Sequence, residues 1–216
     1  YDLCFCRRFR AARISKGDNT LMATCRSCKH ECHHSNGGKC HCGCLNCEHH
    51  IKEALNKLDE VLFPHSLGLF YTAITQYLGF LKYGDEYKVM GLAPYGKPIH
   101  IEKLNEILIK DQNKLFCLNL DYFQHHTGNV EMTWLTGEPK IGKVYSKELA
   151  NLLGPERNPK DRIEKIHMDI ASSAQKLYEE TLFDILNKLY EKNNNDSLCV
   201  SGGCGMNSVA NGKILK

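Results

Sequence analysis

An α/β fold is what this sequence predicts for residues 51–216, and three observations carry the prediction. Two segments repeat apolar residues every three or four positions, as helices with one buried face must. A third segment, Leu198-Cys199-Val200, has the length of a buried strand and leads through Ser201-Gly202-Gly203 into a further helical pattern. Residues 1–50 break with that pattern, because nine of the twelve Cys and six of the eleven His lie there. The expected organisation is an irregular Cys/His-rich segment at 1–50 followed by an α/β body at 51–216.

Within the body, Leu67, Phe70, Ala73, Ile74, Tyr77, Leu78 and Leu81 predict the first amphipathic helix. Ser66 precedes it as its N-cap, and Gly84 follows as its stop. Ile101, Leu104, Ile107 and Leu108 mark a second, shorter helix, and residues 115–118 suit a strand. Residues 121–142, rich in Gly, Thr, His and Pro, read as a long loop of the kind that is functional or mobile. The longest helix shows an apolar face from Ile163 and Ile166 through Ile170, Ala174, Leu177, Tyr178, Leu182 and Ile185 to Leu189, and residues 193–196 end it. After the strand at 198–200, a last helix is expected to begin near Met206, and there is no internal repeat.

Charge divides at the same boundary as composition. Residues 1–50 carry eight Lys/Arg against four Asp/Glu, whereas residues 51–216 carry twenty against twenty-one. The net +3 thus belongs to the N-terminal segment and gives no reason to expect nucleic-acid binding by the body. No apolar stretch approaches membrane-spanning length, no signal peptide is recognisable, and a body with three Cys suits a reducing compartment. A cytoplasmic protein with no membrane partner is expected.

Two segments carry candidate chemistry. In the first, glycines at 202, 203 and 205 remove Cβ atoms, so that backbone N–H groups can approach a phosphate, with Ser201 and Asn207 adding side-chain hydrogen bonds. The competing interpretation is that Gly202 and Gly203 merely make a tight turn. In the second, residues 83–98, Lys88 stands among Asp85, Glu86, Tyr87 and Tyr95. A lysine there suits an anionic group and the carboxylates suit an acceptor hydroxyl; the competing interpretation is a solvated turn with Lys88 paired to Glu86 or Asp85. His65, beside Pro64 where the first helix starts, is either catalytic or a capping and packing residue. His125 and His126 are adjacent, and in extended chain they would point opposite ways, so a surface pair is expected rather than a metal site. His167 reads as a satisfied, partly buried histidine, and Cys117, Cys199 and Cys204 as small core or turn residues.

Two stretches, Phe63 to Phe80 followed by Gly84-Asp85-Glu86-Tyr87-Lys88-Val89-Met90-Gly91-Leu92-Ala93-Pro94-Tyr95-Gly96, together with Ser201-Gly202-Gly203 and Asn207, closely resemble the NodU/CmcH-type carbamoyltransferases. The resemblance covers roughly residues 51–216 and implies a fragment of an actin-like ATPase (ribonuclease H-like) domain. It further implies transfer of a carbamoyl group from carbamoyl phosphate, through an ATP-derived carbamoyl-adenylate, to a hydroxyl of a small molecule. On this resemblance Ser201, Gly202, Gly203 and Asn207 bind nucleotide, while Lys88 and His65 line the catalytic site. Cys204-Gly205 departs from the Val-Ala or Cys-Ala common in the family. The family also holds an iron through two His upstream and an Asp downstream, and neither place is matched here. An incomplete chain is therefore expected, and two other classes stay open: a nucleotide-binding fragment without turnover, and a zinc-dependent interaction protein.

The zinc alternative rests on residues 25–47. Cys25 and Cys28, and Cys44 and Cys47, have knuckle spacing, and the fifteen residues between the pairs fall within the range for a four-cysteine zinc site. Against it, Cys32, Cys40, Cys42 and six His are surplus ligands, and none of the family's first-lobe motifs is recognisable over these residues. An out-of-frame segment that rejoins the true frame near Ile51 ranks first, a zinc module second and an inserted disordered tail third.

Overall fold

The computed structural model describes residues 58–111, 115–128, 130–134, 137 and 139–214. The zinc expectation at Cys25, Cys28, Cys44 and Cys47 lies outside the described residues, as does the frame boundary near Ile51.

Helix α1, Leu67–Tyr77, forms where periodicity places it, and the Ser66 hydroxyl caps it by accepting the Leu69 N–H at 3.3 Å. It is buried around nearly its whole circumference, as a helix at the centre of a core must be. Its stop is Gly79 rather than Gly84. Gly79 sits at φ +77, and a Cβ there would come within 2.7 Å of the Arg157 carbonyl oxygen. Leu81 lies beyond that stop and is 60% exposed, so it is not part of the buried face. The buried Arg157 guanidinium closes the helix end: Nε donates to the Leu78 carbonyl at 2.6 Å, and Nη1 donates to that of Asp161 at 2.7 Å.

Helix α2, Glu86–Leu92, continues into a 3-10 turn at Ala93–Tyr95. Helix α3, Ile101–Asn105, is shorter than its apolar spacing suggests, because Leu108 enters a strand instead. That strand, β1 (Leu108–Ile109), pairs antiparallel with β2 (Cys117–Leu118), Leu108 opposite Leu118. The stretch expected as a long loop contains a second ladder, β3 (Met132–Thr133) against β4 (Lys140–Ile141). Gln76 of α1 ties this ladder to the core by donating to the Gly142 carbonyl and accepting the Val144 N–H. Helix α4, Lys147–Leu153, is capped by Ser146.

Helix α5, Lys165–Asn193, runs 29 residues and packs across α1, with Tyr71 and Tyr178 meeting edge to face at 5.2 Å. Asn194, at φ 44, ends it in the left-handed region. Ile163 and Ile166 are exposed, so its buried face begins only at Asp169 and Ile170. His167 accepts the Glu164 N–H through Nδ1 and so completes the cap of α5, as a satisfied histidine.

Residues 198–200 form no strand. Leu198 is 43% exposed, Cys199 is exposed as well, and no strand among the described residues pairs with them. The chain then enters a 3-10 turn, Gly203–Met206, and a four-residue helix α6, Ser208–Asn211. Helices and two-residue strands make up the body, and among the described residues no helix is long and apolar enough to cross a membrane.

Candidate functional site

The turn at residues 201–207 is built on three glycines that differ in what the fold requires of them. Gly202 adopts φ +92, which a side chain resists. Gly205 lies against Val200, whose Cγ1 would be 3.0 Å from an added Cβ. Gly203 meets neither constraint: its φ is not in the left-handed region, and nothing lies within 4 Å of the position of an added Cβ. The N–H groups of Gly202 and Gly203 have no hydrogen-bond partner among the described residues, and Ser201, Gly202 and Gly203 are all exposed. Two N–H donors and the Ser201 side chain therefore lie on the exposed part of the turn.

Asn207 is placed differently from its expected role. It is 6% exposed, its Oδ1 accepts from Gln175 Nε2 at 3.1 Å and from the Ala210 N–H at 3.0 Å, and its Nδ2 donates to Gln175 Oε1 at 3.1 Å. Its amide is turned into the protein, where it caps α6 and grips α5.

In the segment 83–98, the Asp85 carboxylate binds Lys88 at 2.6 Å and holds its ammonium above the usual lysine range. Lys88 is one-third exposed, lies 5.6 Å from the Phe80 ring centroid and keeps further N–H donors toward solvent. The neighbouring Glu86 accepts from the Thr72 hydroxyl at 2.7 Å. Gly96 is a packing glycine, since a Cβ there would sit 1.9 Å from the Met168 carbonyl oxygen. The loop is clamped to α5 by the Lys97 N–H to Asp169 at 2.6 Å and the His100 N–H to Ser173 at 3.0 Å.

The two segments meet through adjacent residues of α1. Thr72 holds Glu86, and Tyr71 donates to Gln175 at 2.7 Å, which in turn pairs with Asn207. Burial, with Glu179 and Glu86 nearby, pushes the Tyr71 phenol far up, so it stays a donor. Sequence reasoning missed Gln175 and Glu179, which lie one turn apart on α5; two polar residues at that spacing among buried Ala174, Leu177 and Tyr178 were the available signal.

His65 packs at the start of α1. Its Nδ1 accepts the Leu118 N–H at 3.1 Å, which ties α1's start to β2. His125 and His126 sit on a turn and face each other with centroids 5.6 Å apart, so the extended-chain geometry expected of them does not hold. His125 Nε2 bonds the Pro64 carbonyl at 2.9 Å, and burial holds its pKa below the usual histidine value. Among the described residues no group of three or more His, Cys, Asp or Glu is arranged to hold a metal ion. A separate cleft of 490 Å³, lined by Gln76, Lys143, Tyr145 and Glu156 among others, contains none of the expected site residues.

Residues 42–216 match the model of the carbamoyltransferase N-terminus. The chain is 40% identical over 159 residues to the uncharacterized protein sll1178 of Synechocystis sp., covering 73% of this chain and 24% of the relative. It is 30% identical over 159 residues to the nodulation protein NolO of Bradyrhizobium diazoefficiens, covering 72% and 24%. The nodulation protein NolNO of Sinorhizobium fredii is 29% identical over 157 residues, with 71% and 20% covered. The chain thus spans about a quarter of the length of these curated relatives.

Proposed function

The chain belongs to the carbamoyltransferase family, in that family's N-terminal region, and from this premise we infer that it forms the nucleotide-holding part of an O-carbamoyltransferase with an actin-like ATPase fold. Its turn at 201–207 holds ATP, and the carbamoyl group of carbamoyl phosphate passes through a carbamoyl-adenylate to a hydroxyl of a small molecule. The observation that carries the reading is the pair of N–H groups at Gly202 and Gly203 that have no partner among the described residues, with open space at the position of a Gly203 side chain. A glycine in place of alanine costs about 0.5–1 kcal/mol of chain entropy on folding. The fold gains nothing from one at position 203, whereas a ligand approaching the backbone does.

Within this reading, the Gly202 and Gly203 amides and the Ser201 hydroxyl donate to phosphate oxygens. Lys88, kept charged by Asp85, offers its remaining donors to an anionic group. In the transfer itself the acceptor oxygen attacks the carbamoyl carbon, the carbon–oxygen bond to the adenylate phosphate breaks to release AMP, and the acceptor proton passes to solvent. Asn207 acts from inside, by holding the turn, and His65 by positioning α1 against β2. The described residues do not fit the iron that the family resemblance implies, and no step is assigned to it.

The test is a titration of the full-length polypeptide with ATP, together with an assay of labelled carbamoyl transfer from carbamoyl phosphate to a hydroxyl acceptor. ATP binding with ATP-dependent transfer is expected. Binding without transfer would leave a nucleotide-binding module, and absence of binding would overturn the reading.

A further inference from the structure

Beneath the exposed turn lies a polar network of Tyr71, Gln175, Tyr178, Glu179 and Asn207, all of them buried. Gln175 of α5 is 4% exposed, and its amide is saturated. Oε1 accepts from the Tyr71 hydroxyl at 2.7 Å and from Asn207 Nδ2 at 3.1 Å, while Nε2 donates to Glu179 Oε1 at 2.8 Å and to Asn207 Oδ1 at 3.1 Å. Two acceptor sites and two N–H donors are all that a glutamine amide has. One turn further along α5, the buried Tyr178 hydroxyl donates to the Cys204 carbonyl at 2.6 Å, inside the 3-10 turn itself. Lys213 closes the edge by pairing with Glu179 at 2.6 Å.

A buried polar group is costly unless fully bonded, and a fully bonded network fixes one geometry rather than several. Apolar side chains at 175 and 178 would fill the same space without addressing the turn. The hydroxyl and amide instead reach it at two points, the Cys204 carbonyl from below and the Asn207 side chain at its far end. Both anchors follow the two amides at Gly202 and Gly203, which have no partner among the described residues.

We propose that Gln175 and Tyr178 are positioning residues, holding the turn at 201–207 in the one shape that presents the Gly202 and Gly203 N–H groups to a nucleotide phosphate. The proposal rests on the nucleotide reading of that turn. Neither residue touches the ligand, and both act through Cys204 and Asn207.

The experiment measures ATP affinity and melting temperature on the full-length polypeptide, at a temperature where each variant is folded. Tyr178→Phe removes one hydroxyl and keeps the ring contact with Tyr71. It should weaken ATP about five- to tenfold, the loss expected of one positioned hydrogen bond. Tyr77→Phe is the comparison: that buried hydroxyl donates to the Gly154 carbonyl at 2.9 Å, with no bond to the turn. It should lower the melting temperature comparably and leave ATP affinity unchanged. Gln175→Leu should weaken ATP further, and if it does not fold, the two tyrosine variants still decide. Equal ATP affinity in Tyr178→Phe and Tyr77→Phe would overturn the proposal while leaving the nucleotide reading intact. Gly203→Val with undiminished ATP binding would overturn the nucleotide reading and this proposal with it.

Discussion

Gly203 and Lys88 are the residues on which the chemistry turns, and each makes a separable prediction. Beyond its chain neighbours, a Cβ at 203 meets nothing within 4 Å among the described residues, so Gly203→Val should fold normally and lose ATP binding at least tenfold, as seen by titration calorimetry. Lys88→Ala breaks one partly exposed ion pair, and such pairs contribute about 1 kcal/mol or less to stability. Turnover should therefore fall by about a hundredfold or more while the melting temperature barely moves, since a cation at a developing anion is worth several kcal/mol in a transition state. Near-normal turnover would return Lys88 to a solvated turn. Gly203 was legible in the sequence as part of a glycine run, but the division of labour among Gly202, Gly203 and Gly205 was not. Only backbone conformation and neighbouring atoms separate a glycine needed for φ from one needed for packing or one left open. Asn207 was legible as important and not as inward-facing, because its partner Gln175 lies 32 residues away in the chain.

At the level of elements, α5 organises the site by receiving the loop at 95–100 on one stretch and the glycine turn on another. Gly96 is the tightest point of that docking. Gly96→Ala would put a methyl carbon 1.9 Å from the Met168 carbonyl oxygen, so it should cost about 3 kcal/mol as an overpacked contact, read by denaturant titration. A change under about 0.5 kcal/mol would show that the loop is not seated as described. Helices α1 and α5 were readable from periodicity because each buries apolar residues along many turns. The two-residue strands were not, since no alternation can be seen in two positions, and residues 198–200 read as strand only because apolar composition cannot reveal whether a neighbour is there to pair. Gly84 looked like the end of α1, but Gly79 ends it because Arg157, 78 residues later, packs over it and takes the last carbonyls.

At the scale of the whole molecule, three of the described histidines contribute to the pH response. Burial, the largest cause in each case, holds His100, His125 and His167 below the ordinary value of 6.5, with Lys103, the neighbouring His126 and His65, and Arg157 adding to it respectively. The folded state therefore binds fewer protons than the unfolded chain, so stability is complete above about pH 6.5 and falls as pH drops below it. Asp59, Asp169 and Glu156 are lowered by their lysine partners and add a second loss as pH falls below about 4. Thermal melts from pH 7.5 to 5 should show a declining midpoint, and His125→Gln should flatten that decline. A midpoint unchanged across this range would contradict the burial of these rings.

The central claim is that ATP phosphate sits on the turn at residues 201–207. Hydrogen–deuterium exchange of the full-length polypeptide, with and without ATP, tests it at the position itself. Gly202 and Gly203 amides have no hydrogen-bond partner among the described residues, so they should exchange fast without nucleotide and slow markedly when ATP is added. ATP that binds, and protects other segments while peptides spanning 201–206 exchange at an unchanged rate, would contradict the account.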